Sequence, residues 1–218
     1  MICGGRALAR QDRRVREFER RETEILDAAL ALCATPDFAS VTMGQIAERA
    51  EVGKGTLYMH FASKDELLFR LMLRFYRGLL AELRTPQAAG SPLARLRAVI
   101  AQALHYHEVH REYRYVVQYC DRIEFRERAD PAWRADFQSL DRAFGDWGAP
   151  LIEAAMAAGV IPCRPVAEVM LGLHACFQGA VMMIWAGADW SPLESAPQAV
   201  RAAAIRFMIA GLVGDPDA

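Results

Sequence analysis

The sequence predicts an all-α protein in which a three-helix N-terminal head precedes a larger C-terminal helical body. Apolar residues recur every three or four positions along most of the chain, and the strict alternation typical of half-buried β-strands is nearly absent. Glycine and proline fall mainly between these periodic segments, where they are expected to end helices. With 53% hydrophobic residues among 218, the chain has enough apolar side chains for a packed core.

The order of the elements follows from where the periodicity starts and stops. Residues 1–20 carry a run of arginines and predict a flexible basic tail. The head is expected over 21–68, and the stretch TPQAAGSP at 85–92 predicts a linker before a body that covers 85–218. Helices are expected at 22–34, at two short segments within 42–61, and at 63–84, 93–110, 112–127, 131–158, 165–187 and 196–213.

Composition limits the environment and the partners of the protein. The formal net charge of −1 argues against a uniformly basic surface, so that any surface for nucleic acid has to be local. The two lysines, Lys54 and Lys64, fall close together. The five cysteines form an odd set without metal-site spacing, and the N-terminus lacks the apolar core of a secretion signal. These features predict a cytoplasmic protein with reduced, mostly buried thiols.

The first half of the segment 42–61 predicts a short capped helix and a turn. Thr42 and Gln45 have the Thr-x-x-Gln spacing of a capping box, in which each side chain accepts a bond from the other residue's backbone N–H. The tripeptide Glu51-Val52-Gly53 predicts the turn, and its glycine is an acceptable N-cap for the helix that follows.

The second half predicts the recognition helix of a helix-turn-helix. Leu57 and Phe61 lie four residues apart and are expected to face the core together, so that small and polar residues remain on the outer side. Such side chains can bind phosphates or base edges of DNA, and a lysine at the start of the next helix can hold the same backbone. The predicted DNA-binding residues are Thr42, Lys54, Gly55, Thr56, Tyr58, His60 and Lys64.

The segment ILDAALALCATPDFASVTMGQIAERAEVGKGTLYMHFASKDELL resembles the N-terminal domain of the tetracycline-repressor (TetR) family over roughly residues 21–68. The most specific parts are TMGQIAERA, KGTLYMHF and SKDELL. The resemblance implies that three helices bind DNA and that a C-terminal helical domain binds an inducer and dimerises through its last two long helices. Asp37 and Glu51 stand where the family usually has glycine, and aspartate is expected to tolerate a left-handed backbone. The resemblance implies DNA-contacting positions for Thr42, Lys54, Thr56, Tyr58 and Lys64.

Two long C-terminal helices predict a dimer surface. Apolar residues between 169 and 183 fall at alternating steps of four and three, and two glycines allow a neighbour to approach closely. We expect 165–187 and 196–213 of two chains to form a four-helix interface, which would present two heads to half-sites of operator DNA roughly 34 Å apart. A packing surface within one chain is the alternative. The predicted interface residues are Val169, Gly172, Leu173, Cys176, Gly179, Ala180, Met183, Val200, Ala204, Phe207 and Met208.

The uncharged stretch 169–188 is long enough to span a bilayer. It also contains His174, Gln178 and three glycines, which favour a helix buried in protein over a membrane segment.

Aromatic and apolar residues in the body suit a medium-sized hydrophobic or aromatic effector, although such residues also form ordinary cores. His105, His107 and His110 lack the spacing of a metal site, so we expect no metal and no cofactor. The predicted ligand-binding residues are Leu104, His107, Tyr113, Val117, Cys120, Phe144, Trp147, Ile152, Met156, His174 and Phe177.

These features together predict a ligand-responsive transcription regulator, most simply a dimeric repressor of operator DNA that an effector releases. No phosphate loop, nucleophile elbow or zinc-protease motif is present, so we expect no catalytic residues and no enzyme activity. A helical protein–protein interaction module and a ligand-independent DNA-binding protein are the alternatives. The basic tail has two interpretations, a solvated segment or an arm that reaches DNA.

Overall fold

The computed structural model describes residues 3–85, 90–187 and 196–214, with side chains from Gln11 onward. Within these ranges every regular element is a helix, which confirms the predicted fold class. Two short 3-10 helices, Pro36–Ser40 and Arg111–Tyr113, accompany the α-helices. The α-helices are α1 (Cys3–Cys33), α2 (Met43–Arg49), α3 (Lys54–His60), α4 (Lys64–Leu83), α5 (Pro92–Val109), α6 (Arg114–Cys120), α7 (Ile123–Arg128), α8 (Pro131–Ala157), α9 (Val166–Ala186) and α10 (Pro197–Val213).

Helix α1 is much longer than the sequence predicted. A flexible tail was expected over residues 1–20, whereas residues 3–20 belong to α1. Ion pairs about one turn apart stabilise this polar segment, because the Arg20 guanidinium bonds the carboxylates of both Glu17 and Glu24. Apolar periodicity did not predict this part of α1, because a helical segment surrounded by solvent needs no continuous apolar face. The alternation of acidic and basic residues was the signal that could have revealed it.

The segment predicted as one helix at 112–127 is interrupted. It contains the second 3-10 helix, then α6 and α7, and the break falls at Asp121-Arg122, where Arg122 is extended (φ −63°, ψ 143°). The five other helices predicted beyond residue 62 agree with the structure to within one residue at each end. Strong periodicity therefore located the long helices well, and failed where a short polar stretch ends one helix and begins another.

The chain divides into two compact units. A head unit comprises Met1–Arg74 and Glu112–Ala129, and a body unit comprises Phe75–Arg111 and Asp130–Ala218. The sequence had placed the boundary at 85–92. Instead, α4 runs without a break through the boundary between the units.

Part of the predicted linker, residues 86–89, lies outside the described ranges. Linker composition was a weaker guide than packing, because a continuous helix can belong to two compact units.

Contacts between distant residues hold α6 and α7 in the head unit. The Tyr119 hydroxyl donates to Asp65 Oδ1 at 3.0 Å, and Arg128 Nε donates to Asp65 Oδ2 at 2.9 Å. The ring of Phe38 lies 5.5 Å from that of Tyr119. Because these partners are more than 50 residues from Asp65 in sequence, local patterns carried no sign of them.

The body unit packs around an aromatic cluster. The ring of Phe75 on α4 lies 5.2 Å from Tyr106, 5.0 Å from His107 and 6.0 Å from Trp185. The Tyr106 hydroxyl donates to the Phe75 carbonyl oxygen at 3.2 Å, and the Trp185 indole donates to the His107 carbonyl oxygen at 2.8 Å. Helix α5 is the centre of this unit, because it packs against α8, α9 and α10.

Gly78 on α4 is a position where the cluster leaves no room for a side chain. A Cβ added there would overlap the Tyr106 Oη while lying 3.5 Å from its Cζ. We expect Gly78→Ala to destabilise the body by roughly 1–3 kcal/mol through overpacking. A Tyr106→Phe background lacks the Oη that the added Cβ would overlap. In that background Gly78→Ala should lower the free energy of unfolding much less. Urea unfolding followed by tryptophan fluorescence measures both, because all four tryptophans belong to the body. Equal losses in the two backgrounds would contradict this packing.

Helix α9 is long and apolar enough to cross a membrane, judged by length and composition within the described ranges. It packs against α5, α8 and α10, and core helices of folded domains have the same composition. The helix was expected to be buried in protein, and within one chain this burial is partial, because α9 leaves Leu171, Met182 and Met183 exposed.

Candidate nucleic-acid interface

The capping box predicted at the start of α2 is present. The Thr42 backbone N–H donates to Gln45 Oε1 at 2.8 Å, and the Gln45 backbone N–H donates to Thr42 Oγ1 at 3.2 Å. Ile46 and Ala47 are buried beneath it. These bonds fix where α2 begins and leave Thr42 exposed beside it.

The turn between α2 and α3 contains a strained residue. Glu51 has φ 54°, the left-handed region that favours glycine, and it is exposed. Asp37 was also expected to tolerate a left-handed backbone, but its φ is not positive, so the first 3-10 helix does not require this. Glu51 therefore places both backbone strain and a negative charge in the turn that leads into α3.

We expect Glu51→Gly to stabilise the head by about 1 kcal/mol, because glycine adopts a positive φ without a steric penalty. Glu51→Ala is the matched control, since it removes the charge but keeps the Cβ. Hydrogen exchange of the α2 and α3 amides measures the head separately, because the tryptophans report on the body. Equal protection in the two variants would contradict the role of strain.

Helix α3 has the inward and outward faces that the sequence predicted. Leu57 is buried and Phe61 closes the same side. Gly55 and Thr56 are exposed, and the Tyr58 side chain is 53% exposed. The outer face of α3 is thus exposed and accessible to a partner molecule.

The N-terminal ends of α2 and α3 lie together. A Cβ added at Gly44 would lie 3.7 Å from Lys54 Nζ and 3.7 Å from Thr42 Oγ1. The lysine ammonium therefore lies across the start of α2, close to the Thr42 hydroxyl. The structure brings these two predicted residues to one place.

Lys64 is placed differently from the prediction. Its ammonium donates to the carbonyl oxygens of Phe38 and Ala39, each at 2.8 Å. Partial burial lowers the pKa of this ammonium, and the nearby Cys33 and Asp65 oppose that shift. In this conformation Lys64 therefore joins the start of α4 to the first 3-10 helix, and its donors are directed at protein oxygens.

His60 also has a structural partner. Its ring stacks on Phe18 of α1 with 3.9 Å between the centroids and 26° between the planes. Its Nδ1 is buried without a bonding partner among the described residues, and burial lowers its pKa. His60 thus connects the end of α3 to the part of α1 that precedes Ile25 (residues 3–24), which we call the N-terminal extension.

The predicted ligand-binding residues are divided between the two units. Tyr113, Val117 and Cys120 belong to the head unit, and the Tyr113 hydroxyl accepts a bond from Arg74 Nε at 2.9 Å. In the body unit, His107 and Phe177 are neighbours at 5.2 Å, whereas His174 is exposed. The remaining members, Leu104, Phe144, Trp147, Ile152 and Met156, are buried or half-buried in the body. Apolar side chains form cores as well as ligand pockets, so the sequence pattern could not separate these two roles.

Two open clefts occur elsewhere. One of about 440 Å³ in the head unit is lined by Tyr119, Phe125 and three charged residues of the α6–α7 segment. The other, about 380 Å³ in the body unit, lies between α4 and α8 and includes Arg77, Leu80 and Leu140.

The three histidines of α5 do not converge on a metal. His105 bonds Arg201, His107 contacts the Ala103 carbonyl oxygen through Nδ1 at 2.8 Å, and the ring of His110 lies against Tyr106. Within the described part of the chain, no group of three or more His, Cys, Asp or Glu residues is placed to hold a metal ion.

The predicted dimer residues fall into two groups. Val169, Ala180, Val200 and Met208 are buried within their own chain, so this part of the prediction is wrong. Each of α9 and α10 has two apolar sides, and the sequence did not say which side packs internally. Leu173 and Ala204 are half-buried. The exposed group comprises Gly172, Cys176, Gly179, Met183 and Phe207, together with Leu171, Met182 and Val213, which the sequence analysis missed.

The cysteines are also less buried than predicted. Cys33 and Cys120 are buried, and burial raises the pKa of both thiols. Cys163 and Cys176 are exposed.

The segment from the apolar part of α1 to the first half of α4 has known relatives. Residues 25–71 match the family model described as bacterial regulatory proteins of the tetR family. This match covers about a fifth of the chain and makes its N-terminal segment similar to that family. The HTH-type transcriptional repressor KstR of Rhodococcus jostii is 37% identical over 82 residues, which are 38% of each chain. The chain thus matches about two fifths of the length of this curated relative.

Solved structures support a common fold over nearly the whole chain. A regulatory protein of the tetR family from Rhodococcus RHA1 has a TM-score of 0.68 at 20% identity, covering 88% of this chain and 96% of its own. AibR, solved in complex with isovaleryl coenzyme A and operator DNA, has a TM-score of 0.60 at 19% identity, covering 88% and 98%. At these identities the likeness establishes the fold.

Two features of this head were not predicted from the sequence. Met59 has 76% of its surface exposed next to Tyr58 on α3, and its position two residues after the buried Leu57 was the signal for this. Phe18 is the other, and no local pattern could have paired it with His60, 42 residues away.

Proposed function

We propose that this protein is a transcription regulator that binds operator DNA through α3 and the start of α2. The observation that carries the proposal is the exposed, polar outer face of a capped, well-packed helix-turn-helix that matches the TetR-family model. Lys54 and Thr42, which lie together, supply a cation and a hydroxyl for phosphates. Thr56 and Tyr58 supply side chains that reach into a groove, and the exposed Met59 adds an apolar contact for a thymine methyl group.

Salt-titrated binding tests this proposal. Duplexes selected from random DNA, or taken from upstream of the gene, should bind with an affinity that falls steeply with salt. We expect Lys54→Ala to weaken binding to every sequence and to reduce the salt slope by about 0.9 for each head that contacts DNA, because each head loses one phosphate contact. Arg97→Ala removes an exposed cation of the body and is the matched control. Thr56→Ala should instead change which sequences are selected.

A selection that enriches no duplex would overturn the DNA-binding proposal. If Lys54→Ala and Arg97→Ala behaved alike while the wild type bound normally, α3 would be the wrong surface.

We also propose that the protein acts as a homodimer. The support is the apolar surface of α9 and α10 around Leu171, Met183 and Phe207, since large exposed apolar patches mark interaction sites. Two heads can then bind two half-sites one DNA turn apart. This arrangement also explains the exposed side of α9 without a membrane, in keeping with a cytoplasmic protein.

Regulation by a small molecule is the third part of the proposal. The relatives named as repressors and the neighbour crystallised with an acyl coenzyme A support an effector that binds the body and releases DNA. We expect neither a catalytic step nor a resident cofactor. The cleft between α4 and α8, with Leu80 and Leu140 beside Arg77, can take an apolar ligand that also carries an anionic group.

Native mass spectrometry of the purified protein tests this effector. A retained small molecule that weakens DNA binding when added back supports regulation, whereas DNA binding that no retained compound or body variant changes would favour the ligand-independent alternative. A protein–protein interaction module, the other alternative, would show partner capture with no salt-dependent DNA binding.

A further inference from the structure

The N-terminal extension of α1 precedes the helix-turn-helix and supplies none of the DNA contacts proposed above. It continues α1 by several turns as a helix, and its Phe18 ring stacks on the ring of His60 on α3. Phe18 keeps 44% of its surface exposed, which is unusual for a phenylalanine in ring contact with its own domain. The extension is therefore held at the C-terminal end of α3, the helix proposed to enter the groove.

The arginines of the extension fall into two groups, those that interact with carboxylates and those without an ion pair among the described residues. Arg20 and Arg21 are occupied by the carboxylates of Glu17 and Glu24, and Arg13 contributes to the lowered pKa of Glu17. These pairs neutralise one another.

Arg14 and Arg16 are exposed, and neither has an ion pair within the part of the chain that the structure describes.

Helix geometry separates these two arginines. At 100° per residue, Arg14 lies about 40° from Phe18 around the helix, whereas Arg16 lies about 200° from it. Arg14 is thus one turn beyond Phe18, roughly 6 Å along the axis, on the side that contacts His60. Arg16 points to the other side of α1.

We infer that the Phe18 side of α1 is a second phosphate-binding surface, with Arg14 as its cation and Phe18 on His60 as its anchor. This surface rests on the proposed function and extends it, because it adds a contact to DNA phosphates that border the groove occupied by α3. A guanidinium suits this task, since its planar fork matches the geometry of phosphate oxygens. The helix holds Arg14 in place, so little entropy is lost on binding compared with a flexible arm.

The test compares Arg14→Ala with Arg16→Ala in the full-length protein. Each variant removes one arginine from the same helix, so that helix propensity and net charge change equally. Binding is measured by fluorescence anisotropy on a duplex that the wild type selects from random DNA, at several salt concentrations. For each head that contacts DNA, Arg14→Ala should reduce the salt slope by about 0.9 and the affinity at 0.1 M salt by roughly five- to tenfold, while Arg16→Ala stays close to the wild type. Equal behaviour of the two variants would overturn the inference.

Phe18→Ala tests whether the stack of Phe18 on His60 positions the Arg14 guanidinium. It should lower affinity in the wild-type background but have little further effect on Arg14→Ala, because an unanchored extension no longer presents its arginine. Full additivity of the two losses would show that Phe18 does not position Arg14. Selection of no duplex by the wild type would overturn the DNA-binding proposal itself, whereas normal wild-type binding with an inert Arg14 overturns this surface alone.

Discussion

Replacing Phe207 by glutamate is expected to convert the proposed dimer into monomers and to weaken operator binding by at least about 100-fold. Phe207 is 73% exposed on α10, and α9, which packs against α10, also exposes apolar residues. A carboxylate in the centre of an apolar interface would have to be buried without a partner, which is costly. Loss of the dimer removes the second head, and linked binding sites commonly raise affinity by 10²–10⁴.

Ile123→Glu provides the matched control, because this side chain is 71% exposed on α7, which belongs to the head unit. Sedimentation at micromolar concentration should show monomers for Phe207→Glu and dimers for the control and the wild type. Anisotropy on one half-site should be similar for all three, and only the two-half-site duplex should discriminate them. A dimeric Phe207→Glu with wild-type affinity would mean that another surface joins the chains.

Acidification is expected to destabilise the body by about 3 kcal/mol through His107. This side chain is 2% exposed, and burial lowers its pKa from 6.5 to about 4. The unfolded chain therefore binds a proton below about pH 6.5 that the folded chain does not accept until about pH 4. Stability is fully present above pH 6.5 and falls as the pH drops towards 4. A shift of 2.5 units corresponds to about 3 kcal/mol.

Urea unfolding followed by tryptophan fluorescence at several pH values between 7 and 4.5 measures this loss, since Trp185 lies 5.3 Å from His107. His107→Leu should remove most of the pH dependence, because no titrating group remains at the centre of the cluster. Its stability at pH 7 is expected to stay close to that of the wild type, as leucine fills an apolar site of similar volume. An unchanged pH slope in His107→Leu would assign the acid sensitivity to other groups.

Local sequence patterns were sufficient for most of the head. The capping box at Thr42 and Gln45 and the inward pair Leu57 and Phe61 depend on spacing within one or two helical turns. Such spacings are readable in the sequence, and the structure reproduces them. The long helices beyond residue 62 followed from the same kind of short-range period, with the exception of the polar break between α6 and α7.

Contacts that depend on distant partners were not predicted. Lys64 was predicted to contact phosphate, but two carbonyl oxygens from the first 3-10 helix occupy its ammonium. His60 was predicted on the DNA-facing side, but its ring lies on Phe18. In both cases the partner lies at least 25 residues away in the chain. Residue type and local period therefore could not identify it.

The sequence alone determined that the protein is helical, that residues 42–61 form a helix-turn-helix, and which side of α3 faces outward. Each of these depends on hydrogen bonds and apolar spacing within a few residues. Tertiary structure alone decided which side of α9 is buried, that α6 and α7 belong with the head, and that α1 extends to His60. Those outcomes depend on contacts between segments far apart in the chain, which side chains choose by shape and charge only once the helices have packed.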